Sequence, residues 1–530
     1  MVVYRTLKEL DSSEGTVQLV DFAALDVQSG SNLLHLEGTS ILLVPQPSSD
    51  PNDPLRWPQW KKYVIFINIC LYSFLNNCFI GGISSAFFTL SQDYQKSIST
   101  TSGLLVYPIL VLGLGNFLIV PLSIYIGKRP VFVTCSLVLL VCNIWSAVAT
   151  TFENLLAARI VASITGSATE ALSAAFDLFF LHERGHKMMV YIIFLASGNS
   201  IGPLVSGFVI TSLSWKWFCW ILTIFCAISF VFVFFLVPET RHERNYNLSQ
   251  TTVGSDEGEK NATDATAIEY SAASNESSTY PAKRSYTSSL NPWSGITPGH
   301  SFWNIFIRPF PLMAYPAVFW GFLSYSVCLA LVIAVGSVYS FVLQVPPYNM
   351  TAGIAGLINV PTLFGFVVGA ISGGYLTDVF SARRARRRDG VFLPEDRLVL
   401  LLVPAITVPV GCLMFGFGAQ QQLHWAVIFV GYGFISVGLT GVASIGMTYV
   451  LDSYYPIAAE ALLLVNGLKN VVAFGFLHGI VPWTTVSGYQ TVFGAMAGIF
   501  LAIMALAIPL YIYGASIRHH TSMKFQLISW

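Results

Sequence analysis

The sequence predicts an all-α integral membrane protein, with twelve transmembrane helices arranged as two pseudo-symmetric six-helix bundles. Twelve apolar segments begin near Tyr63, Leu104, Val131, Leu155, Met188, Trp217, Leu312, Ile354, Leu398, Trp425, Ile457 and Val492. Each runs for about 20 residues or more, enough to cross a hydrocarbon core of ~30 Å as a helix. With the N-terminus placed inside, all Lys and Arg residues but four fall on the tails or on loops that follow even-numbered spans. Lys96 and Lys216 lie on the opposite side, and Arg159 and Lys469 lie within spans. That is the positive-inside bias of a polytopic protein with both ends in the cytosol. Between the sixth and seventh segments, residues 241–305 turn rich in Ser, Thr, Asn, Glu and Lys, too polar to order themselves by burial.

The chain therefore divides into a cytosolic tail (1–60), a first six-helix bundle (61–240), a disordered cytosolic linker (241–305), a second bundle (306–514) and a cytosolic tail (515–530). Composition agrees: 54% hydrophobic and 10% charged residues, with a mean hydropathy of +0.65, exclude a soluble domain, which carries ~25% charge. A net charge of zero with basic residues on cytosolic loops points to anionic headgroups and not to nucleic acid. The run Arg383, Arg384, Arg386, Arg387, Arg388 reads first as a topology determinant. All eight cysteines fall within apolar spans without metal-ligand spacing, so neither a disulfide framework nor a metal site is expected. The first sixty residues hold no charged-then-apolar leader, leaving the first span as the insertion signal.

The two halves echo each other. Leu122-Ser123-Ile124 after the second span corresponds to Leu376-Thr377-Asp378 after the eighth, and each is followed by arginine, Arg129 and Arg383. Asp177-Leu178-Phe179-Phe180 ends the fourth span as Asp452-Ser453-Tyr454-Tyr455 ends the tenth. Repeats of this kind build secondary transporters whose substrate sites lie near the midplane between the halves.

The fourth span carries the densest chemistry. Arg159, Ser163, Gly166, Glu170, Ser173 and Asp177 recur at three and four residues, on one helical face. An ionisable group at mid-membrane costs roughly 2.5 to 3.5 kcal/mol on insertion scales, so the stripe is expected to face a cavity or a partner. Two roles fit Glu170. Burial and a nearby cation pull its protonation in opposite directions, which suits a carboxyl that gains and loses a proton as a cavity opens. It also fits a permanent pair with Arg159 or Lys469. Asp177 falls at the cytosolic end near Lys128 and Arg129, and Asp452 near Arg383 and Arg384; both sets read as cytosolic latches or as exposed ion pairs of little worth. Asn68, Tyr72 and Asn76 line one face of the first span, and Asn466, Lys469 and Asn470 share one turn of the eleventh. The partner of Lys469 is left open between Glu170 and a substrate anion.

Four further stretches carry a family resemblance: Asp53-Pro54-Leu55-Arg56-Trp57-Pro58-Gln59-Trp60-Lys61-Lys62, Gly127-Lys128-Arg129-Pro130-Val131, His182-Glu183-Arg184-Gly185 and Pro238-Glu239-Thr240. In these the chain resembles fungal major facilitator superfamily transporters of the drug:proton antiporter branch, with polyamine and organic-cation transporters among its relatives. The resemblance covers residues 45 to 515. It implies two bundles rocking in alternating access, and a role in proton handling for Arg159. It also assigns Gly198-Asn199-Ser200-Ile201-Gly202-Pro203, with Gly207 beyond, to an antiporter motif in the fifth span. Small residues there let helices approach closely, and proline kinks the helix. Two positions depart from the family pattern: Met189 stands where a glycine is usual, and Ile124 where the first loop motif carries an acid that Asp378 keeps in the second.

The expected function is efflux of a small organic compound, such as a xenobiotic, toxin or secondary metabolite, in exchange for protons. A proton-coupled importer of polyamines or other organic cations is the alternative, and a nutrient-sensing receptor on the same fold is a third reading. The spans contain no catalytic or ATP-binding signature, so neither an enzyme nor a cofactor is expected. The partners implied are a small-molecule substrate, protons and the lipid bilayer, for a monomer in the plasma membrane.

Overall fold

The computed structural model describes residues 17–18, 53–173, 181–240, 301–388, 391–454 and 457–525. Asp177, most of the 241–305 linker and the side chain of Glu170 lie outside the described residues.

Helices track the apolar segments. α1 (Gln59–Gly82), α2 (Ile98–Ile126), α3 (Lys128–Val148), α4 (Phe152–Ser173), α5 (Leu181–Ser212) and α6 (Trp215–Leu236) form the first set. α7 (Pro316–Leu343), α8 (Ala352–Arg386), α9 (Pro394–Gln420) and α10 (Trp425–Ser453) follow. The final helical run breaks at Gly488 into α11 (458–487) and α12 (489–525). Gly488 has φ 78°, a left-handed conformation open to glycine, and a Cβ there would stand 2.5 Å from Oε1 of Gln420. That same oxygen accepts the first N–H of α12, from Tyr489, at 2.9 Å. The chain thus reverses direction with its helix end capped.

Local signals set the other ends. Ser97 accepts the N–H of Thr100 at 3.2 Å and starts α2, while Thr351 does the same for Ile354 at the start of α8. α1 ends in a 3-10 turn, Ile83–Ala86, before a short helix Phe87–Asp93. α8 contains a π turn at Ile371–Tyr375, and α9 opens as a 3-10 stretch, Pro394–Leu401. Beside it, Val17–Gln18 (β1) pairs antiparallel with Val391–Phe392 (β2).

Packing repeats between the halves. In the first, α1 packs on α5, α2 on α4 and α3 on α6; in the second, α7 packs on the α11–α12 run, α8 on α10 and α9 on that same run. The halves meet along two seams, α2 with α11 and α5 with α8, themselves equivalent under exchange of the bundles. Trp217, Ile224, Phe225, Ile228, Val231, Phe232 and Phe235 leave one face of α6 exposed and apolar. In water such a face would be unstable, whereas acyl chains solvate it. Outer and inner faces are named from the charge bias of the loops.

Candidate transport pathway and gates

At the outer face the bundles are joined by neutral hydrogen bonds. The 3-10 turn after α1 aims Ser84 and Ser85 at Tyr339 of α7, with Oγ atoms 3.3 and 2.7 Å from the phenol oxygen. Ser85 donates its single proton to the Pro203 carbonyl at 2.6 Å, so Tyr339 is the donor to Ser85. Gln344 adds a bond to the Ser85 carbonyl at 3.3 Å, and Thr211 of α5 accepts the N–H of Gly353 at 2.9 Å. The glycines of α5 make this closeness possible. A Cβ at Gly198 would lie 2.5 Å from the Phe74 carbonyl oxygen, at Gly202 2.9 Å from Cα of Cys78, and at Gly207 2.6 Å from the Ala352 oxygen. Gly198 and Gly202 thus seat α5 on α1, whereas Gly207 faces α8 across the seam.

Arg159 is buried to 2% exposure just below this seal. Pro108 has no N–H, so the carbonyl four residues back, at Leu104, lacks its helical donor. Arg159 Nε supplies one at 2.8 Å, and its Nη2 bonds Ile80, in the last turn of α1, at 2.6 Å. The ring of Phe79 lies 4.9 Å from the guanidinium carbon. The cation therefore ties α4 to two neighbouring helices through carbonyl groups that their own geometry leaves open.

The α2–α11 seam holds another buried cation. Lys469, 5% exposed, donates to Asn466 Oδ1 at 2.8 Å and lies 4.5 Å over the ring of Tyr325 on α7. Asn470 and, from across the seam, Asn116 of α2 both donate to the Asn466 carbonyl, at 3.1 and 3.4 Å. The polar groups of the first span sit elsewhere. Tyr72 donates to the Thr165 carbonyl at 3.0 Å, Asn76 accepts from Thr165 Oγ1 at 3.5 Å, and Asn68 donates to Val64 of its own helix at 2.8 Å. Tyr72 and Asn76 thus stitch α1 to α4 inside the first bundle.

The inner face is held by charge. Arg397, at the start of α9, reaches Asp378 at 2.5 Å and Asp452 at 2.6 Å. Asp452 thus pairs with Arg397 and with neither Arg383 nor Arg384; Arg383 is exposed, and Arg384 meets Asp396 at 3.2 Å and the Tyr511 hydroxyl at 2.7 Å. Glu395 forms a two-pronged pair with Arg518 of α12, both contacts 2.9 Å, with exposures of 2% and 1%. In the first bundle the acid is on the other partner: Glu239 after α6 accepts the backbone N–H groups of Lys128 and Arg129 at 3.2 and 3.1 Å, capping α3. The Arg129 guanidinium turns to the carbonyls of Phe234, at 2.8 Å, and Val237.

A profile of the Major Facilitator Superfamily matches residues 69–476. The chain belongs to this superfamily. An uncharacterized MFS-type transporter of Schizosaccharomyces pombe is 27% identical, with 92% of this chain and 89% of that protein covered. Protein HOL1 of Saccharomyces cerevisiae is 26% identical over 91% and 90%, and probable efflux pump mfs2 of Aspergillus flavus 25% over 81% and 97%. Among solved structures, the human organic anion transporter MFSD10 shares the fold, with a TM-score of 0.53 at 14% identity, covering 85% of this chain and all of that one.

Within this superfamily member, sequence reasoning picked out the ions and missed most of their partners. Tyr339, Ser84 and Ser85 are common residues in apolar surroundings, and nothing in their spacing marks a lock. Arg397 carries a visible signal, the charged triplet Glu395-Asp396-Arg397 at the mouth of a span.

Proposed function

We propose that the protein is a secondary active transporter that exports a small organic compound in exchange for protons, by alternating access in the plasma membrane. The observation that supports this most directly is Lys469, a buried cation at the seam of the two bundles, beside a tyrosine ring and two asparagines. A charge in that position costs several kcal/mol and is retained where it serves a ligand or proton path. In this reading Arg159, Glu170 and Lys469 form the substrate and proton pathway, with Asn466 and Asn470 orienting the lysine. Asn68, Tyr72 and Asn76 of α1 belong to the same pathway in this reading, with Tyr72 and Asn76 bonded to Thr165 of α4. Gly207 closes the outer seam, Gly198, Gly202 and Pro203 shape α5 behind it, and Arg397 with Asp378 and Asp452 ties α8, α9 and α10 together at the inner end of the second bundle. Lys128, Arg129, Arg383 and Arg384 belong to the same cytosolic rim. The protein works as a monomer with both termini in the cytosol.

The test compares a deletion strain, the strain restored with the wild-type gene and one restored with Glu170→Gln. Intracellular accumulation of organic cations, antifungal compounds and endogenous metabolites is followed at two external pH values. Export predicts higher accumulation in the deletant, reversed by wild type in a pH-dependent manner and not by Glu170→Gln at equal membrane expression. Lower accumulation of organic cations in the deletant would overturn export in favour of import. Full rescue by Glu170→Gln with unchanged pH dependence would remove the proton role.

A further inference from the structure

The outward surface of α8 carries a bilayer-facing apolar stripe that ends in arginine. Phe364, Val368, Ile371 and Tyr375 follow one another at intervals of four, three and four, and all are exposed, Phe364 to 70% and Tyr375 to 62%. That spacing keeps them on one helical face. The π turn at Ile371–Tyr375 inserts about one extra residue and so rotates everything after it by roughly a quarter turn. In an uninterrupted α-helix Arg383 would leave the stripe by that angle. With the π turn, Arg383 and Arg386 straddle the continuation of the stripe and Arg387 flanks it.

The arginine run is not uniform. Arg384 and Arg388 turn onto Asp396 at 3.2 and 3.0 Å, and Asp396 is nearly fully buried. Arg383, Arg386 and Arg387 are exposed and make no ion pair among the described residues. Two arginines thus anchor the helix end and three are presented at the membrane boundary. Guanidinium groups match phosphate oxygens two at a time. A ligand that fits both parts of this face must be anionic at one end and a long hydrocarbon at the other.

We propose that the inner end of α8 binds an anionic phospholipid, its headgroup phosphate held by Arg383, Arg386 and Arg387 and one acyl chain lying along Tyr375, Ile371, Val368 and Phe364. The site is separate from the transport seams and needs no substrate.

The full chain is reconstituted in phosphatidylcholine nanodiscs doped with a trace of fluorescent phosphatidylserine, and lipid retention is measured by fluorescence transfer from a donor dye on the C-terminal tail. The wild type is expected to enrich phosphatidylserine over an equally labelled phosphatidylcholine. The Arg383→Gln, Arg386→Gln, Arg387→Gln variant is expected to lose at least tenfold in that preference, while Arg308→Gln, an exposed arginine outside the run, leaves it unchanged. In the wild type alone, raising salt from about 0.05 to 0.5 M shrinks the screening length and should weaken retention severalfold, which keeps the proposal testable should the triple variant fail to fold. Equal retention of the two lipids by the wild type, or salt-independent retention, overturns it. Displacement of the lipid by millimolar inorganic phosphate also overturns it, in favour of a soluble-anion site.

Discussion

Tyr339 of α7 donates a hydrogen bond to Ser85 beyond α1 over 2.7 Å, and Ser85 passes a second to the Pro203 carbonyl of α5 over 2.6 Å. Three helices from both bundles thus meet in two neutral bonds. A neutral bond of this kind contributes about 1 kcal/mol net, whereas an ion pair would carry a large desolvation cost. A seal that opens and closes in the proposed transport cycle is better served by the weaker contact, because states that interconvert readily differ by only a few kcal/mol.

Tyr339→Phe should loosen that seal while leaving the ring's packing intact. Losing about 1 kcal/mol shifts the closed-to-open ratio roughly fivefold. Spin labels at Leu213 and Val345, exposed on opposite bundles at the outer face, should show a larger long-distance population by pulsed electron resonance. Identical distance distributions in variant and wild type would count against Tyr339 as a lock.

Gly207→Ala should impair transport through sterics alone. Its Cβ would stand 2.6 Å from the Ala352 carbonyl oxygen, a backbone atom that cannot swing aside. We expect at least a tenfold drop in the rate measured in proteoliposomes, the added methyl forcing α5 from α8. Gly494→Ala is the control, since a Cβ there meets nothing within 4 Å.

The Glu395 and Arg518 pair should matter for stability and not for turnover. Arg518→Met or Glu395→Gln alone leaves a buried group uncompensated, at a cost of about 3 to 5 kcal/mol, read as a lowered unfolding temperature in detergent. The double variant Glu395→Leu, Arg518→Met buries no charge and should recover much of the loss. A double variant as unstable as the sum of the single ones would show that the two side chains act independently.

How much of this was legible beforehand varies with the physics. The spans stood out because the bilayer leaves a chain few choices, and the charge sorting of the loops ordered them. Buried ions such as Arg159 and Lys469 stood out because they are costly. What Arg159 touches was hidden, since it depends on Pro108 freeing a carbonyl on another helix. The partner of Asp452 is hidden for a similar reason: sequence position favours Arg383 and Arg384 near the end of α8, but Arg397, in the 3-10 opening of α9, reaches both acids. Helical periodicity identifies the face of one helix; it does not say which neighbour that face meets.

All eight cysteines are buried. In practical terms the native molecule presents a thiol-silent exterior, so a reporter cysteine placed at either rim can be tagged by a membrane-impermeant maleimide without first stripping the protein of its own. Gate motions then become measurable on the wild-type framework, and any reactivity that a native thiol acquires during turnover would itself mark an opening helix.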